Sequence, residues 1–246
     1  MKDKQNKNTI LFFTIAILLV LLDQITKLTI KGFSFAGFEI QGLRYGESIP
    51  ILGNLLQLTF VENEGMAFGL SFGGAAGKLA LSIFRILAVF FLFYLLGRLI
   101  KSKENPALVL AFSMILAGAL GNIIDSAFYG MLFSYSPFHG GVAQLLPPEG
   151  GYAPFLMGRV VDMFYFPLIQ STFPTWVPIW GGQEFEFFRP VFNFADSSIF
   201  VGISLFLIFY RKLSSENIHH NIKENTDNQL DINKKASETE VPEAAE

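Results

Sequence analysis

Apolar residues in this chain gather into four long runs separated by more polar stretches, and run length decides what they are. About 20 helical residues cross a hydrocarbon core of roughly 30 Å. Residues 10–30 form the first run, broken only by Asp23 and Lys27, and residues 79–100 the second, with a single charge at Arg85. Residues 107–124 form the third, uncharged; residues 192–210 form the fourth, interrupted by Asn193 and Asp196. The uninterrupted part of the first run, 10–22, has the length of a signal-peptide core. DQITKLTIKG follows it, where a small-residue cleavage site is expected, so the run reads as a retained span.

Composition strengthens this reading. Of 246 residues, 51% are apolar and 16% charged, against about a quarter charged in ordinary soluble domains. Mean hydropathy is +0.43 although the last thirty or so residues are polar, which argues against a soluble enzyme. The chain has no Cys, which removes disulfides, thiolate metal sites and thiol nucleophiles, and its three His leave little for metal chemistry.

Basic residues orient the spans. Lys2, Lys4 and Lys7 precede the first; Arg98, Lys101 and Lys103 lie between the second and third; Arg211 and Lys212 follow the fourth. Both termini are therefore expected to be cytoplasmic, with segments 31–78 and 125–191 facing outward. Residues 55–61 have strand character between turns at Gly46, Gly53 and Gly65, which predicts a small outward-facing β-rich segment between helices 1 and 2. The second outer segment is rich in Pro, Gly and aromatics, and its Trp176 and Trp180 suit a headgroup layer. The predicted organisation is a cytoplasmic N-terminus at 1–9, a four-span domain at 10–213 and a disordered acidic tail at 214–246, where His219 and His220 are read as solvated.

The polar residues inside the spans converge in depth. Asp23 and Lys27 fall at the outer end of span one, Asn122 and Asp125 at the outer end of span three, and Asn193 and Asp196 at the outer end of span four. An ionisable group near a bilayer centre costs on the order of 2.5–3.5 kcal/mol on insertion scales, so each needs a reason. Gly118, Asn122 and Asp125 stand on one helix face, with the Gly permitting close approach. Asn193, Asp196 and Ser197 share another face, and Asp23 and Lys27 form an i,i+4 pair. Asp162, in the apolar stretch GRVVDMFYFP, offers a desolvated carboxyl that with Asp196 would make a pair able to hold one shared proton and activate water against an amide. Asp23 and Asp125 compete for that role, and an ion pair with Lys27 is the alternative for Asp23.

These residues resemble a known set. DQITK at 23–27, NEGMAFG at 63–69, GALGNIID at 118–125, VVD at 160–162 and FNFAD at 192–196 are similar to the five ordered motifs of the lipoprotein signal peptidases, or signal peptidase II. The resemblance implies an aspartic endopeptidase of the bacterial inner membrane that removes signal peptides from diacylglyceryl-modified prolipoproteins, cutting before the lipidated cysteine. It places the catalytic pair at Asp162 and Asp196, with the active site on the periplasmic face. It gives Asn63, Gly65, Asn122 and Asn193 to the pocket or substrate, and Asp23 and Lys27 to a pocket-organising pair. It implies no metal or organic cofactor, with lipidated precursors and membrane lipids as partners and no nucleic acid. Two departures stand out: Ser126 occupies a position where the family usually has Arg, leaving Arg85, Arg159 or Arg189 to supply a cation, and the stretch 126–161 is longer than usual, as a lid or a tolerated loop.

Two rival readings remain at this level. A small transporter would also carry intramembrane Asp and Asn, although no inverted repeat is evident. A Ser/Lys peptidase would use Lys27 as base, although no Ser sits in an evident nucleophile motif.

Overall fold

The computed structural model describes residues 2–53, 55–64, 74–167, 169–187 and 191–211. Gly65, Arg189, both tail histidines and the predicted tail lie outside these residues. Four helices carry the apolar runs: α1 is Lys2–Lys31, α2 Gly74–Lys101, α3 Pro106–Leu132 and α4 Phe194–Arg211. All four are long and apolar enough to cross a membrane. Their outward faces are apolar where a water-soluble bundle would be polar: Phe84, Phe90, Phe91 and Tyr94 on α2 and Phe200 and Ile208 on α4 are all exposed. Between the helices, Phe12, Leu96, Ile100, Val109 and Leu116 form an interior cluster toward the end that bears Arg98 and Lys101.

Helix ends follow local chemistry rather than run length. Asn105 caps α3, its side chain accepting from the Ala107 amide at 2.9 Å. The third run was expected to stop at 124. Instead α3 passes through a π-helical turn, Asp125–Tyr129, and ends at Leu132. The helix continues because the Asp125 carboxylate is neutralised inside the bundle rather than turning to water, and because Ser126 bonds back to the Asn122 carbonyl at 3.0 Å. α4 starts at Phe194 rather than 192, because Asn193 caps it.

The β structure is also more widely distributed than expected. Strands β1 (Phe33–Phe35), β2 (Phe38–Ile40), β3 (Ser48–Leu52) and β4 (Leu56–Asn63) lie between α1 and α2; β5 (Ala143–Gln144), β6 (Val160–Tyr165), β7 (Ile169–Thr172), β8 (Glu184–Phe187) and β9 (Val191–Phe192) lie between α3 and α4. The two segments share sheets, in the orders β3-β4-β6-β9 and β2-β1-β5. β4 buries adjacent residues, Thr59 and Phe60, so both of its faces are covered there, and its two edges pair with β3 and β6, with Val61 opposite Asp162. Phe60, Tyr129, Phe133, Ala143, Val161 and Met163 form a core there. Since Phe133 and Ala143 are buried and β5 runs parallel to β1, the stretch after α3 is built into the fold.

Candidate active site

Polar side chains from five elements meet at one end of the bundle. Asn193 is the N-cap of α4: its Oδ1 accepts from the Asp196 amide at 2.9 Å, and the Asp196 carboxylate accepts from the Asn193 amide at 3.4 Å. This is a reciprocal capping box, which fixes Asp196 in the first turn, where a helix favours an anion. The Asn193 side chain then reaches across to β6, its Nδ2 donating to Asp162 Oδ1 at 2.8 Å. Asn193 thus ties both carboxyl groups together and is itself fully buried.

Each carboxyl has a further donor. Asn63, the last residue of β4, donates to Asp162 Oδ2 at 3.1 Å, and Asn122 of α3 donates to Asp196 Oδ1 at 2.7 Å. Asn122 Oδ1 in turn accepts from Asn193 Nδ2 at 3.0 Å and from Lys27 Nζ at 3.1 Å. Burial pushes the Asp162 carboxyl up to about 7, and the charge of Asp196 adds to that rise against the hydrogen bonds from Asn63 and Asn193. At neutral pH a proton therefore resides readily on Asp162.

Beneath this pair lies a buried charge cluster. Lys27 Nζ is 2.9 Å from Asp23 Oδ2 and 2.8 Å from Asp125 Oδ2, and all three side chains are essentially inaccessible. Two carboxylates around one ammonium leave one negative charge to be met by dipoles, and backbone amides do so. Asp23 Oδ1 accepts from the Ala195 amide at 2.8 Å, an otherwise unpaired donor at the start of α4, and Asp125 Oδ2 accepts from the Val161 amide at 3.2 Å. Asp23 and Asp125, the competing candidates for the carboxyl pair, are both engaged by Lys27 and by these backbone amides. Asp125 positions the strand next to Asp162, and Asp23 positions the helix turn that carries Asp196. Gly118 and Gly121 allow α3 this close: a Cβ at Gly118 would run into the Ala195 carbonyl, and one at Gly121 into the Asp23 carboxylate.

Several contributors were not singled out in the sequence. Gln24 donates to Asp125 Oδ1 at 2.9 Å and to Asp23 Oδ2 at 3.1 Å, and accepts from the Tyr129 hydroxyl at 3.1 Å. Its position inside DQITK was the available signal. Glu62, a lone acid in the apolar strand LQLTFVEN, is buried against Lys31 and accepts from Ser136 at 2.8 Å. Glu64 is held below the usual carboxylate range: burial opposes its charge, but hydrogen bonds from Lys78 and Arg159 outweigh that. Arg159 pairs with Glu64 at 2.8 Å and lies over the rings of Tyr135 and Tyr152, at the rim rather than at the carboxyl pair. Arg85 of α2 donates to Ser126 Oγ at 3.2 Å, and the charges of Asp196, Asp125 and Asp162 all act on it. An arginine from a neighbouring span thus stands beside the serine where a family arginine was missed.

Comparisons with known proteins bear on the family of the chain. A family described as signal peptidase (SPase) II matches residues 15–211. The chain is 48% identical over 200 residues to a lipoprotein signal peptidase of Porphyromonas gingivalis, covering 81% of this chain and 82% of that one. It is 35% identical to a lipoprotein signal peptidase of Amoebophilus asiaticus, covering 80% and 76%. A solved bacterial membrane enzyme structure is 25% identical with a TM-score of 0.50, covering 83% of this chain and 90% of that one.

Proposed function

Since the chain belongs to the signal peptidase II family, a multi-pass membrane protease acting on lipoprotein precursors, we propose that Asp162 and Asp196 are the catalytic dyad with which it cuts them. The observation that carries this is Asn193, one buried side chain that caps the helix turn of Asp196 and donates to Asp162. Family membership sets the transporter reading aside. The Ser/Lys alternative has no support either, because Lys27 is engaged by Asp23, Asp125 and Asn122.

In this mechanism the shared proton rests on Asp162, the carboxyl pushed upward, and Asp196 is the base. Asp196 takes a proton from water as its oxygen attacks the scissile carbonyl, while Asp162 donates to the carbonyl oxygen. Collapse of the tetrahedral gem-diol returns one hydroxyl proton to Asp162 as the C–N bond breaks, and the new amine leaves with the proton held by Asp196, which restores both carboxyls. Asn63 and Asn122 hold the carboxyls in place; the assignment of Gly65 to the pocket rests on the family resemblance alone. Gly118 packs α3 against α4, while Asp23, Lys27 and Asp125 organise the site from below. The dyad works at the periplasmic face of the bacterial inner membrane, with both termini cytoplasmic, and the β-rich segments lie on that outer face. Arg98 and Lys101 at the opposite end of the bundle support this orientation.

The protonation of Asp162 gives a pH profile a definite sign. As pH rises through about 7, Asp162 loses the proton it must donate, so kcat/KM is expected to fall on the alkaline side of neutrality. A profile flat from neutral to mildly alkaline pH rejects Asp162 as the acid.

The substrate class is tested directly. A diacylglyceryl group anchors a precursor by about 0.8 kcal/mol per buried methylene, which holds the scissile bond at the depth of the dyad and removes much of the entropic cost of approach. Purified protein in lipid is expected to cleave a prolipoprotein carrying the lipid on its cysteine and to leave the unmodified precursor nearly intact, read by gel shift at equal concentration. Equal cleavage of the two would overturn the proposed substrate class even if both aspartates prove catalytic.

A further inference from the structure

Residues 163–183 carry no charged side chain, and both tryptophans of the chain, Trp176 and Trp180, lie in that stretch. Its distal part is a hairpin, β7 against β8, running from Ile169 opposite Phe187 to Thr172 opposite Glu184 and forming a two-stranded sheet of its own. The tip is closed by its own backbone. The Phe173 amide donates to Gln183 O and the Gly182 amide to Phe173 O, both at 2.9 Å; the Val177 amide donates to Pro174 O at 3.0 Å and the Gly181 amide to Val177 O at 2.9 Å. Pro174 and Pro178 have no amide to satisfy.

The side chains are placed the other way. Trp176 is 80% exposed, Ile179 84% and Trp180 53%, three large apolar groups on one small knob. Clustered exposure of this kind marks a contact surface. The hairpin also has a defined place relative to the spans. It leaves the sheet where Tyr165 pairs with Val191, and α4, a membrane-crossing helix, begins at Phe194. From Tyr165 to Phe173 the outgoing arm covers eight positions, a reach of at most about 26 Å, and the return arm comes back to Val191, three positions before that span.

We infer that the tip of the β7–β8 hairpin inserts Trp176, Ile179 and Trp180 into the headgroup layer of the bilayer that the four helices cross. An indole is suited to that layer, with an apolar ring and one N–H that needs a polar partner. Internal bonds from the Phe173, Val177, Gly181, Gly182 and Gln183 amides reduce the backbone polarity the tip carries into that layer. It carries no charge to desolvate, and the first acids on the return arm, Glu184 and Glu186, set the depth at which insertion stops.

Because the chain has two tryptophans and both are in the tip, tryptophan emission, excited at a wavelength its seven tyrosines do not absorb, reads the hairpin alone. The full chain is reconstituted into phosphatidylcholine vesicles brominated either near the carbonyl end or near the methyl end of the acyl chain, and iodide is titrated from the aqueous side. The expected result is a loss of emission that is larger with the shallow label than with the deep one, with iodide quenching weaker than that of free N-acetyltryptophanamide. Trp176→Phe and Trp180→Phe apportion the signal between the two rings. Emission untouched by either label, with iodide quenching equal to that of the free amide, means that the tip stands in water or covers the site, and overturns the inference. A loss equal or larger with the deep label overturns the headgroup placement.

Discussion

Asp162→Asn and Asp196→Asn are each expected to abolish precursor cleavage while leaving the protein folded in the membrane. Asparagine keeps the size of each side chain and one acceptor oxygen, so Asn193 retains a partner at 162 and Asn122 retains one at 196, while Asn63 must turn its own amide to accept from the new NH2 group. What is lost is proton transfer, worth roughly 10²–10⁴-fold for a single acid or base. Here both functions are required in one step, so the two losses are not additive and either variant falls to background. The measurement is turnover of a lipidated precursor by purified variants whose thermal unfolding matches the parent. Near-parental turnover by either one rejects the dyad. Asp125→Asn is the comparison and is expected to lose activity only in part, because Asp125 bonds to Lys27, Gln24 and the Val161 amide and to neither dyad carboxyl.

The second large effect concerns stability. Lys27→Met keeps length and apolar bulk but leaves Asp23 and Asp125 buried without their cation. Removing one partner of a buried pair costs about 3–5 kcal/mol, because the remaining charge is uncompensated. The expected result is a marked drop in thermal midpoint and in the yield of monodisperse protein in detergent. A double variant, Lys27→Met with Asp125→Asn, removes one of the two stranded charges and is expected to recover part of the loss; the recovery measures the coupling. If the single variant unfolds at the parental temperature, the cluster is not what holds α1 to α3 and α4.

The spans were legible in the sequence because hydrocarbon thickness converts directly into run length, and α1, α2 and α4 each end within a residue of their apolar run, although α1 and α2 begin several residues before it and α4 begins just inside it. The end of α3 was not. A lone Asp at residue 125 looks like a helix terminus until Lys27, nearly a hundred positions earlier, is known to meet it, and no local pattern carries that information. The same holds for the sheets. Residues 55–61 announced a strand, but its second partner, Val160–Tyr165, lies beyond two spans, and β5 is only two residues long. For the site, the positions that converge were recognisable as polar groups at one depth and as motifs. Which carboxylates would sit over the ion cluster and which within it depended on Asn193 and on the backbone amides of Ala195 and Val161, and amide positions leave no trace in residue type. The capping box formed by Asn193 and Asp196 was readable as N-x-x-D ahead of an apolar run, and it is the one local signal that would have fixed the start of α4.

The bond from the Ala195 amide to Asp23 joins residues 172 positions apart, and this sets an order of events at birth. At a synthesis rate of about 5–20 residues per second, roughly 10–35 s separate the emergence of Asp23 from that of its partner. Through that interval the first segment to enter the translocation machinery holds an acid and a base whose later neighbours have not yet been made. Their spacing of one helical turn lets Lys27 and Asp23 neutralise each other at once, so the nascent chain presents a net-neutral segment for insertion. Asp196 arrives one residue after Ala195, so the same late segment that relieves the waiting acid also completes the catalytic pair, and a chain stalled before its last span has no hydrolytic capacity to release into the membrane.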